Sequence, residues 1–361
     1  MPDHQTHREA GPSTRVAHAG LPARAQGEPY LPGPVFAAPY HLQGPVDASR
    51  FGYGRYANPT WERLEAALGE LEGGEVVVFA SGMAAVSAVV IDRLRPGDVL
   101  VAPSDGYPGV RSIARDHLAP RGVEVRLVPT DHDAVLGATP GATVVWIETP
   151  SNPGLDVLDV AALARAAHDA GAELVVDNTL AGPLRQRALE LGADVSVTSA
   201  SKHLTGHSDL VLGYVAAREP ERAAALRAWR GTTGAIPGPF EAWLAHRSLA
   251  TLAVRLERQE ASAAAILEML RARDDVTGAR WPGVGSVVCF TLESAERAQA
   301  FLAALTIVAE ATSFGGLHSS AERRGRWGTD DVPGGFIRLS AGIEDTADLV
   351  ADIAQALDAT R

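Results

Sequence analysis

The stretch Leu174-Val175-Val176-Asp177-Asn178-Thr179 is a short apolar run that ends in polar side chains, and Val195-Ser196-Val197-Thr198-Ser199-Ala200-Ser201-Lys202-His203 repeats this arrangement. Further short segments that we interpret as strands occur at residues 76–79, 99–101, 123–125, 144–147 and from 211 onward. Helical patterns, such as residues 160–170, lie between several of them. This alternation predicts an α/β fold with a mostly parallel sheet covered by helices on both faces. Ligands bind such sheets beyond the carboxyl ends of the strands.

The chain has 361 residues, a length that favours two domains. Residues 1–47 are rich in Pro and Gly without a clear period, and we interpret them as an extended N-terminal arm that packs on something else. Residues 48–240 are predicted to form the large domain. A smaller α/β domain is expected over residues 241–361, with a long helical stretch at 242–273, strands near 287–292 and 336–340, and a closing helix from Asp345.

Composition excludes several classes of function. The formal net charge of -12 argues against a nucleic-acid partner and against an anionic membrane surface. No apolar stretch approaches the ~18 residues of a membrane span, and the polar N-terminus lacks the core of a signal peptide, so a cytoplasmic protein is expected. The single cysteine, Cys289, lies in an apolar run and is expected to be a buried small hydrophobe; we expect no metal site.

Lys202 is the only lysine among 32 cationic Lys and Arg residues. Arginine therefore fills nearly every cationic role, and the one lysine is expected in a role that a guanidinium cannot perform. An ammonium group can lose its proton when it is partly desolvated and then act as a nucleophile or base, whereas a guanidinium stays protonated. The alternative is a stray surface lysine.

Asp177 ends an apolar strand, where a carboxylate is costly unless it is paired. An amine and an acid of this kind are what pyridoxal 5′-phosphate (PLP) needs: the amine forms a Schiff base, and the acid keeps the pyridine nitrogen protonated so that the ring accepts electrons. Asp177 could instead cap a following helix.

Two further motifs surround this pair. Phe79-Ala80-Ser81-Gly82-Met83-Ala84-Ala85 passes from a strand through small residues into a helix start, a geometry that offers backbone N–H groups to a phosphate. The hydroxyl groups of Ser199 and Ser201 add donors beside Lys202. The second motif, residues 51–60, contains Tyr53 and Arg55. Its alternative interpretation, without a functional role, is a polar loop before a helix that starts after Asn58 or Thr60.

Together these motifs resemble the Cys/Met metabolism family of PLP-dependent enzymes, the cystathionine γ-synthase and γ-lyase group of transferase fold type I. The resemblance extends from residues 13–20 to residues 338–345. Its most specific blocks are Glu148-Thr149-Pro150-Ser151-Asn152-Pro153, then residues 177–179, then residues 199–209. Motifs in this order and spacing are more specific than any one of them alone.

The resemblance implies a role for each matching residue around the cofactor. Lys202 would bind PLP covalently and then shuttle protons between substrate carbons, while Asp177 pairs with the pyridine nitrogen. Tyr107 would stack on the ring and help deprotonate the incoming amine, and Asn152 approaches the 3-hydroxyl oxygen. The residues implied in phosphate binding are Gly82, Met83, Ser199 and Ser201.

Other implied roles concern the substrate and a second subunit. Arg338 would clamp the substrate carboxylate, a bidentate task suited to a guanidinium, with Ser313 and Asn152 nearby. An ion pair at the surface or between strands is the alternative for Arg338. Tyr53 and Arg55 match residues that reach the phosphate of a neighbouring subunit. The family resemblance thus implies an obligate homo-oligomer, usually a tetramer, that acts on a small amino acid.

Some positions depart from the family pattern. Thr312 stands where several γ-acting members have a glutamate, which weakens the match to cystathionine. Gly109 replaces the cysteine typical of methionine γ-lyases, and Ser201 replaces a threonine. The cationic stretch Arg323-Arg324-Gly325-Arg326 could meet an acidic group, but a solvated surface run is the interpretation we favour.

The predicted reaction is a γ-elimination that releases 2-oxobutanoate and ammonia, as in a cystathionine γ-lyase, a carbon–sulfur lyase of trans-sulfuration in cysteine and methionine metabolism. The alternatives are γ-replacement on O-acyl-homoserine, a cystathionine β-lyase and a methionine γ-lyase. A non-catalytic scaffold that keeps PLP is disfavoured because Lys202, Asp177, Tyr107 and Arg338 are all present. A nicotinamide enzyme is disfavoured because no Gly-x-Gly-x-x-Gly follows a strand in the N-terminal half.

Overall fold

The computed structural model describes residues 10–361. Its large sheet contains seven strands in the order β1-β7-β6-β5-β4-β2-β3. They are β1 Glu75–Phe79, β2 Val99–Pro103, β3 Glu124–Val128, β4 Val144–Glu148, β5 Glu173–Asp177, β6 Val195–Thr198 and β7 Gly213–Ala217. Neighbouring strands pair in parallel, except that β7 runs antiparallel to both β1 and β6. The predicted mostly parallel α/β sheet is confirmed.

Helices cover both faces of this sheet, as predicted. One face packs against α3 Gly82–Arg93, α4 Pro108–Ile113 and α7 Pro220–Thr233. The other face packs against α2 Pro59–Glu72 and α8 Pro239–Leu249 at one end, and against α5 His132–Ala138 and α6 Val160–Asp169 at the other. Short helical turns occur at Val46–Ala48, Ala114–Leu118, Ala119–Arg121 and Arg324–Trp327.

The start and stop of α2 follow from its sequence. The Asn58 side chain accepts a hydrogen bond from the Thr60 amide at 2.8 Å, which caps the helix after the loop, as expected. Gly73 then adopts a left-handed conformation with φ of +79° and ends the helix.

The predicted extended arm is wrong over residues 12–18, because these form helix α1, Pro12–His18. Val16 and Ala19 are buried in the core beside α2 and α8, and Arg15 donates to the Glu70 carbonyl at 3.1 Å. This seven-residue helix is stabilised by tertiary packing, since so short a helix is marginal alone.

The predicted helical stretch 242–273 is interrupted. Helix α8 ends at Leu249, and α9 Leu252–Arg271 starts after Thr251. The Thr251 hydroxyl donates to the Ser248 carbonyl at 3.1 Å and accepts from Arg255 Nε at 3.1 Å, so local side-chain bonds replace the helical ladder at the break.

A second sheet follows, with five strands in the order β10-β11-β12-β9-β8. These are β8 Thr277–Arg280, β9 Val287–Thr291, β10 Ala309–Glu310, β11 Ser320–Arg323 and β12 Phe336–Ser340. Helices α9, α10 Ala295–Ala304 and α11 Thr346–Ala359 pack on it. The closing helix begins after Asp345, as predicted. Cys289 is fully buried, as expected, and burial raises the pKa of its thiol to about 12.

The helices of residues 10–361 include none with the length and apolar character needed to cross a bilayer. Over the same residues, no group of three or more His, Cys, Asp or Glu side chains is arranged to hold a metal ion. The boundaries at 47 and 240 stay predictions.

Candidate active site

A cavity of about 730 Å³ opens at the carboxyl ends of β4, β5 and β6, where the large sheet faces the second sheet. Ten of the twelve predicted site residues line it: Gly82, Met83, Tyr107, Asn152, Asp177, Ser199, Ser201, Lys202, Ser313 and Arg338. The strand ends thus bring together side chains that are far apart in the sequence, as expected for an open α/β sheet.

Lys202 lies in the loop that joins β6 to β7 and is largely buried. Its Nζ donates to Ser313 Oγ at 2.8 Å and lies 5.3 Å from the centre of the Phe314 ring. Burial lowers the pKa of the amine, and the positive charge of Arg338 lowers it further, to about 8. Lys202 is therefore not a surface lysine, and about a tenth of its amine is neutral at pH 7, far more than for an amine with the ordinary pKa.

Asp177 ends β5 beside Glu148, which ends β4 in register with it. Its Oδ1 accepts from the Thr179 amide at 3.1 Å, and burial raises the pKa of the carboxyl. Within residues 10–361 no helix follows before residue 195, so the helix-cap alternative is wrong. No cation among the described side chains contributes to stabilising Asp177. A buried acid without a cationic partner fits a protonated pyridine nitrogen.

Glu148 was missed as a site residue, although it ends an apolar strand just as Asp177 does. Its Oε2 accepts from the Tyr107 amide at 2.7 Å and so fixes the start of α4. Burial, and then the neighbouring Asp177, raise the pKa of Glu148 well above its usual range. Burial also raises the pKa of Asp177, and the hydrogen bonds from Thr179 oppose that rise.

The turn before α3 has the geometry of a phosphate cradle. Ser81 caps the helix, accepting from the Ala84 amide at 3.0 Å, so Gly82 and Met83 are its first residues, whose N–H groups have no partner within the helix. A Cβ on Gly82 would lie 2.8 Å from the Ser199 side chain, so glycine is required there. The residues present fit the phosphate of PLP.

Ser201 lines the cavity, but its hydroxyl is hydrogen-bonded to the backbone. Ser201 Oγ accepts from the Leu212 amide at 2.9 Å and donates to the Leu212 carbonyl at 3.2 Å. These bonds close the loop that carries Lys202. The strand β7 begins at Gly213, two residues later than predicted.

Arg338 on β12 is 4% exposed, which excludes the surface ion pair. Its guanidinium donates to Asn152 Oδ1, to the Ser313 carbonyl at 3.2 Å and to Glu322 Oε1. The inter-strand alternative is therefore partly correct, because Glu322 lies opposite Arg338 on β11. Arg338 therefore pairs with Glu322 and also lines the cavity.

The interpretation of residues 323–326 as a solvated run is wrong for Arg324. Its side chain is buried, lines the cavity and donates through Nε to Asp330 Oδ2 at 2.8 Å and through Nη1 to Glu322 Oε1 at 3.0 Å. Arg326 is exposed and pairs with Glu310 at 2.7 Å. The acidic partners of Arg324 are Asp330 and Glu322 of its own chain, and the sequence alone did not indicate this pairing.

Tyr53 and Arg55 lie outside the cavity. The Arg55 guanidinium donates to the Gly231 carbonyl and lies 4.5 Å from the centre of the Tyr56 ring, while Tyr53 is 46% exposed. Their predicted function in a neighbouring subunit is untested by a single chain.

The sequence matches the family profile described as "Cys/Met metabolism PLP-dependent enzyme" over residues 35–358. The chain therefore belongs to this family of enzymes, whose cofactor is PLP, and its architecture is that of fold type I.

Particular relatives narrow the comparison. A protein of Streptomyces coelicolor, provisionally named cystathionine gamma-lyase, is 55% identical over 97% of this chain and 94% of its own length. The cystathionine gamma-synthase of Mycobacterium tuberculosis is 37% identical over 96% of this chain and 97% of its own. The crystal structure of the cystathionine gamma-lyase CalE6 from Micromonospora echinospora superposes with a TM-score of 0.89 at 36% identity, covering 96% of this chain and 98% of that one.

Proposed function

We propose that this enzyme is a carbon–sulfur lyase that catalyses γ-elimination, with cystathionine and water converted to cysteine, 2-oxobutanoate and ammonia. The similarity to a relative named cystathionine gamma-lyase supports this reaction. The observation that carries the proposal is that one cavity holds the largely buried amine of Lys202, the buried carboxyl of Asp177, which has no cationic partner among the described side chains, and the guanidinium of Arg338.

The residues present fit PLP at three points: its aldehyde, its ring nitrogen and its phosphate. Lys202 would bind the cofactor covalently through Nζ, and Asp177 would keep the ring nitrogen protonated. The first N–H groups of α3, from Gly82 and Met83, would hold the phosphate together with Ser199. When bound, PLP supplies an electron sink for the pair of electrons left on the substrate's α-carbon.

Protons would move chiefly at Lys202 Nζ. The neutral amine of Lys202 would accept a proton from the substrate's α-carbon and deliver it elsewhere on the substrate. Ser313 Oγ, 2.8 Å away, keeps Nζ directed into the cavity. Arg338 would orient the α-carboxylate and Tyr107 would cover the ring; Asn152, held by Arg338, would approach its 3-oxygen.

The test compares elimination with replacement. Release of 2-oxobutanoate from cystathionine, homocysteine and methionine would be measured beside the thiol-dependent product formed from O-acetylhomoserine. We expect elimination from cystathionine to dominate. Replacement without elimination would overturn the proposal in favour of a synthase, a reaction that the mycobacterial relative's name indicates.

We also propose a homotetramer with active sites shared between subunits. Aromatic side chains in and beside the N-terminal segment are exposed in the single chain, among them Tyr30 and Phe36, and an interface would cover them. Co-expression of the K202A and R55A variants tests this. Sites that combine a wild-type Lys202 with a wild-type Arg55 should restore activity that neither variant has alone, and no recovery would contradict sharing.

The proposed domains are an arm at residues 1–47, a PLP-binding domain at 48–240 and a small domain at 241–361. In support, strands β1–β7 fall within the second range and β8–β12 within the third. We further propose that the enzyme works in the cytoplasm, where its amino-acid substrates are metabolised. Fractionation of the source cells should recover it with cytoplasmic markers, and recovery elsewhere would contradict this.

A further inference from the structure

Five charged side chains form a continuous chain of contacts from α4 to β12. Arg111 on α4 donates to the Thr329 carbonyl at 2.7 Å and lies 3.5 Å from Asp330 Oδ1. Asp330 accepts from Arg324, which donates to Glu322, and Glu322 in turn accepts from Arg338. The chain thus joins the helix that begins after Tyr107 to the cavity-facing arginine of the second sheet.

One oxygen lies at the centre of this arrangement. Glu322 Oε1 accepts from both Arg338 and Arg324, while Oε2 accepts from Trp327 Nε1 at 2.9 Å. Burial opposes ionisation of Glu322, but Arg338, Trp327 and Arg324 together hold its pKa below the usual value. Glu322 is therefore a buried anion divided between two guanidinium groups.

The sharing of Glu322 between Arg338 and Arg324 affects how well Arg338 can bind an anion. Arg338 has five N–H donors, of which three are engaged by Asn152, Ser313 and Glu322, so two remain for a ligand. Three arginines and two acids give the five-membered chain one surplus positive charge, which matches one substrate carboxylate. Without Arg324, Glu322 would pair with Arg338 alone and cancel much of its attraction for that carboxylate.

We propose that Arg324 is a positioning residue for substrate recognition: by sharing Glu322 with Arg338, it keeps the Arg338 guanidinium oriented and electrostatically available to the α-carboxylate of the substrate. This inference rests on the proposed function of Arg338 as the carboxylate clamp. It concerns binding rather than chemistry, because Arg324 acts through Glu322.

The test is a titration of the PLP-bound enzyme with glycine and with methylamine, followed by the absorbance of the cofactor. The two ligands share an amine and differ in the carboxylate. We expect wild type to bind glycine more tightly than methylamine. The R324M variant should weaken glycine binding at least tenfold and change methylamine binding less than twofold. The matched control is R323M, because Arg323 does not line the cavity, and it should change neither.

Some other results of this titration would overturn the inference, and one would contradict only the proposed reaction. Equal weakening of both ligands by R324M, or unchanged glycine binding, would overturn the inference, as would a wild type without preference for glycine. If R324M does not fold, the R324M/D330N variant removes the pair together and should show the same selective loss. Because the titration involves no elimination, a wild type that prefers glycine but releases no 2-oxobutanoate would contradict only the proposed reaction.

Discussion

Lys202 Nζ donates a hydrogen bond to Ser313 Oγ across 2.8 Å, which links the loop after β6 to the loop before β11. Ser313 is one of the few residues other than glycine with a positive φ, at +84°. Both facts indicate that the serine backbone is held in an unfavourable conformation so that its hydroxyl meets the amine.

The S313A variant should therefore lower kcat about tenfold, because it removes the hydrogen bond that directs the Lys202 amine, and one hydrogen bond contributes up to about 1.5 kcal/mol. Steady-state kinetics measures this. The S313G variant also loses the hydroxyl but relieves the backbone, so it should be more stable than S313A and equally slow. Full activity in both variants would show that the contact is dispensable.

The attachment of PLP to the apoenzyme should depend on pH through Lys202. Burial and Arg338 lower the pKa of this amine to about 8, so its neutral, nucleophilic form increases as the pH rises through 8 and is nearly complete above it. The rate of absorbance change after PLP addition should reach half its maximum near pH 8 rather than near 10.5, and it should level off about one pH unit above this midpoint.

The R338M variant removes the neighbouring positive charge and should shift this midpoint upward. Arg258 is partly exposed and pairs with Asp345 outside the cavity, so R258M is the matched control and should leave the midpoint in place. A wild-type midpoint near 10.5 would contradict the burial of Lys202.

The D177N variant should lose kcat by a factor on the order of 10² or more, the range typical of losing one preorganised electrostatic partner. An amide cannot hold the ring nitrogen protonated. Borohydride reduction should still label the single lysine in D177N, whereas K202A should stay unlabelled at that position. The exposed Asp169 on α6 provides the control D169N, expected to be fully active. Normal turnover by D177N would refute the assigned pairing.

Stability should fall with rising pH because of Glu72, a fully buried acid at the end of α2. Its Oε1 accepts from the Tyr214 hydroxyl at 2.6 Å, and burial raises its pKa to about 7. The unfolded chain releases this proton near pH 4.5. The folded state therefore holds more protons between these values, and the stabilisation present at pH 4.5 is lost as the pH rises through 7.

The E72Q variant removes this titration and should unfold at a higher temperature than wild type at pH 8, with a gain of up to about 3 kcal/mol. The difference should shrink towards pH 5. Thermal unfolding across this range measures it, with E268Q on the exposed face of α9 as the control. A constant difference at all pH values would exclude titration of Glu72 as the cause.

The large sheet could be predicted because its strands are short apolar runs between helices, and burial on both faces leaves such a run in the sequence. Lys202 was found because it is the only lysine, and Asp177 because it ends an apolar strand. The direction of β7 could not be predicted, since a fully buried strand has the same apolar composition whichever way it runs.

The surroundings of Arg338 were harder to predict. Glu322 lies in the short, mostly polar strand Ser320–Arg323, and Arg324 lies in a cationic stretch that is typical of a solvated surface. Their contacts depend on the turn that returns Asp330 to Arg324 and on the pairing of β11 with β12. The first contact spans only six residues but depends on the shape of an irregular turn, and the second joins residues 16 apart in the chain, so the pattern of apolar and polar residues gave no signal for either.

The antiparallel direction of β7 limits what protein engineering can change. The connection that carries Lys202 is anchored at both ends on adjacent strands, with Thr198 opposite Tyr214. Tyr214 and Ala216 pack on one side of the sheet and Val215 and Ala217 on the other. A one-residue insertion that slipped β7 would exchange these two sets and send the tyrosine into the wrong core. Libraries for new substrate specificity should therefore vary the composition of this connection and keep its length constant.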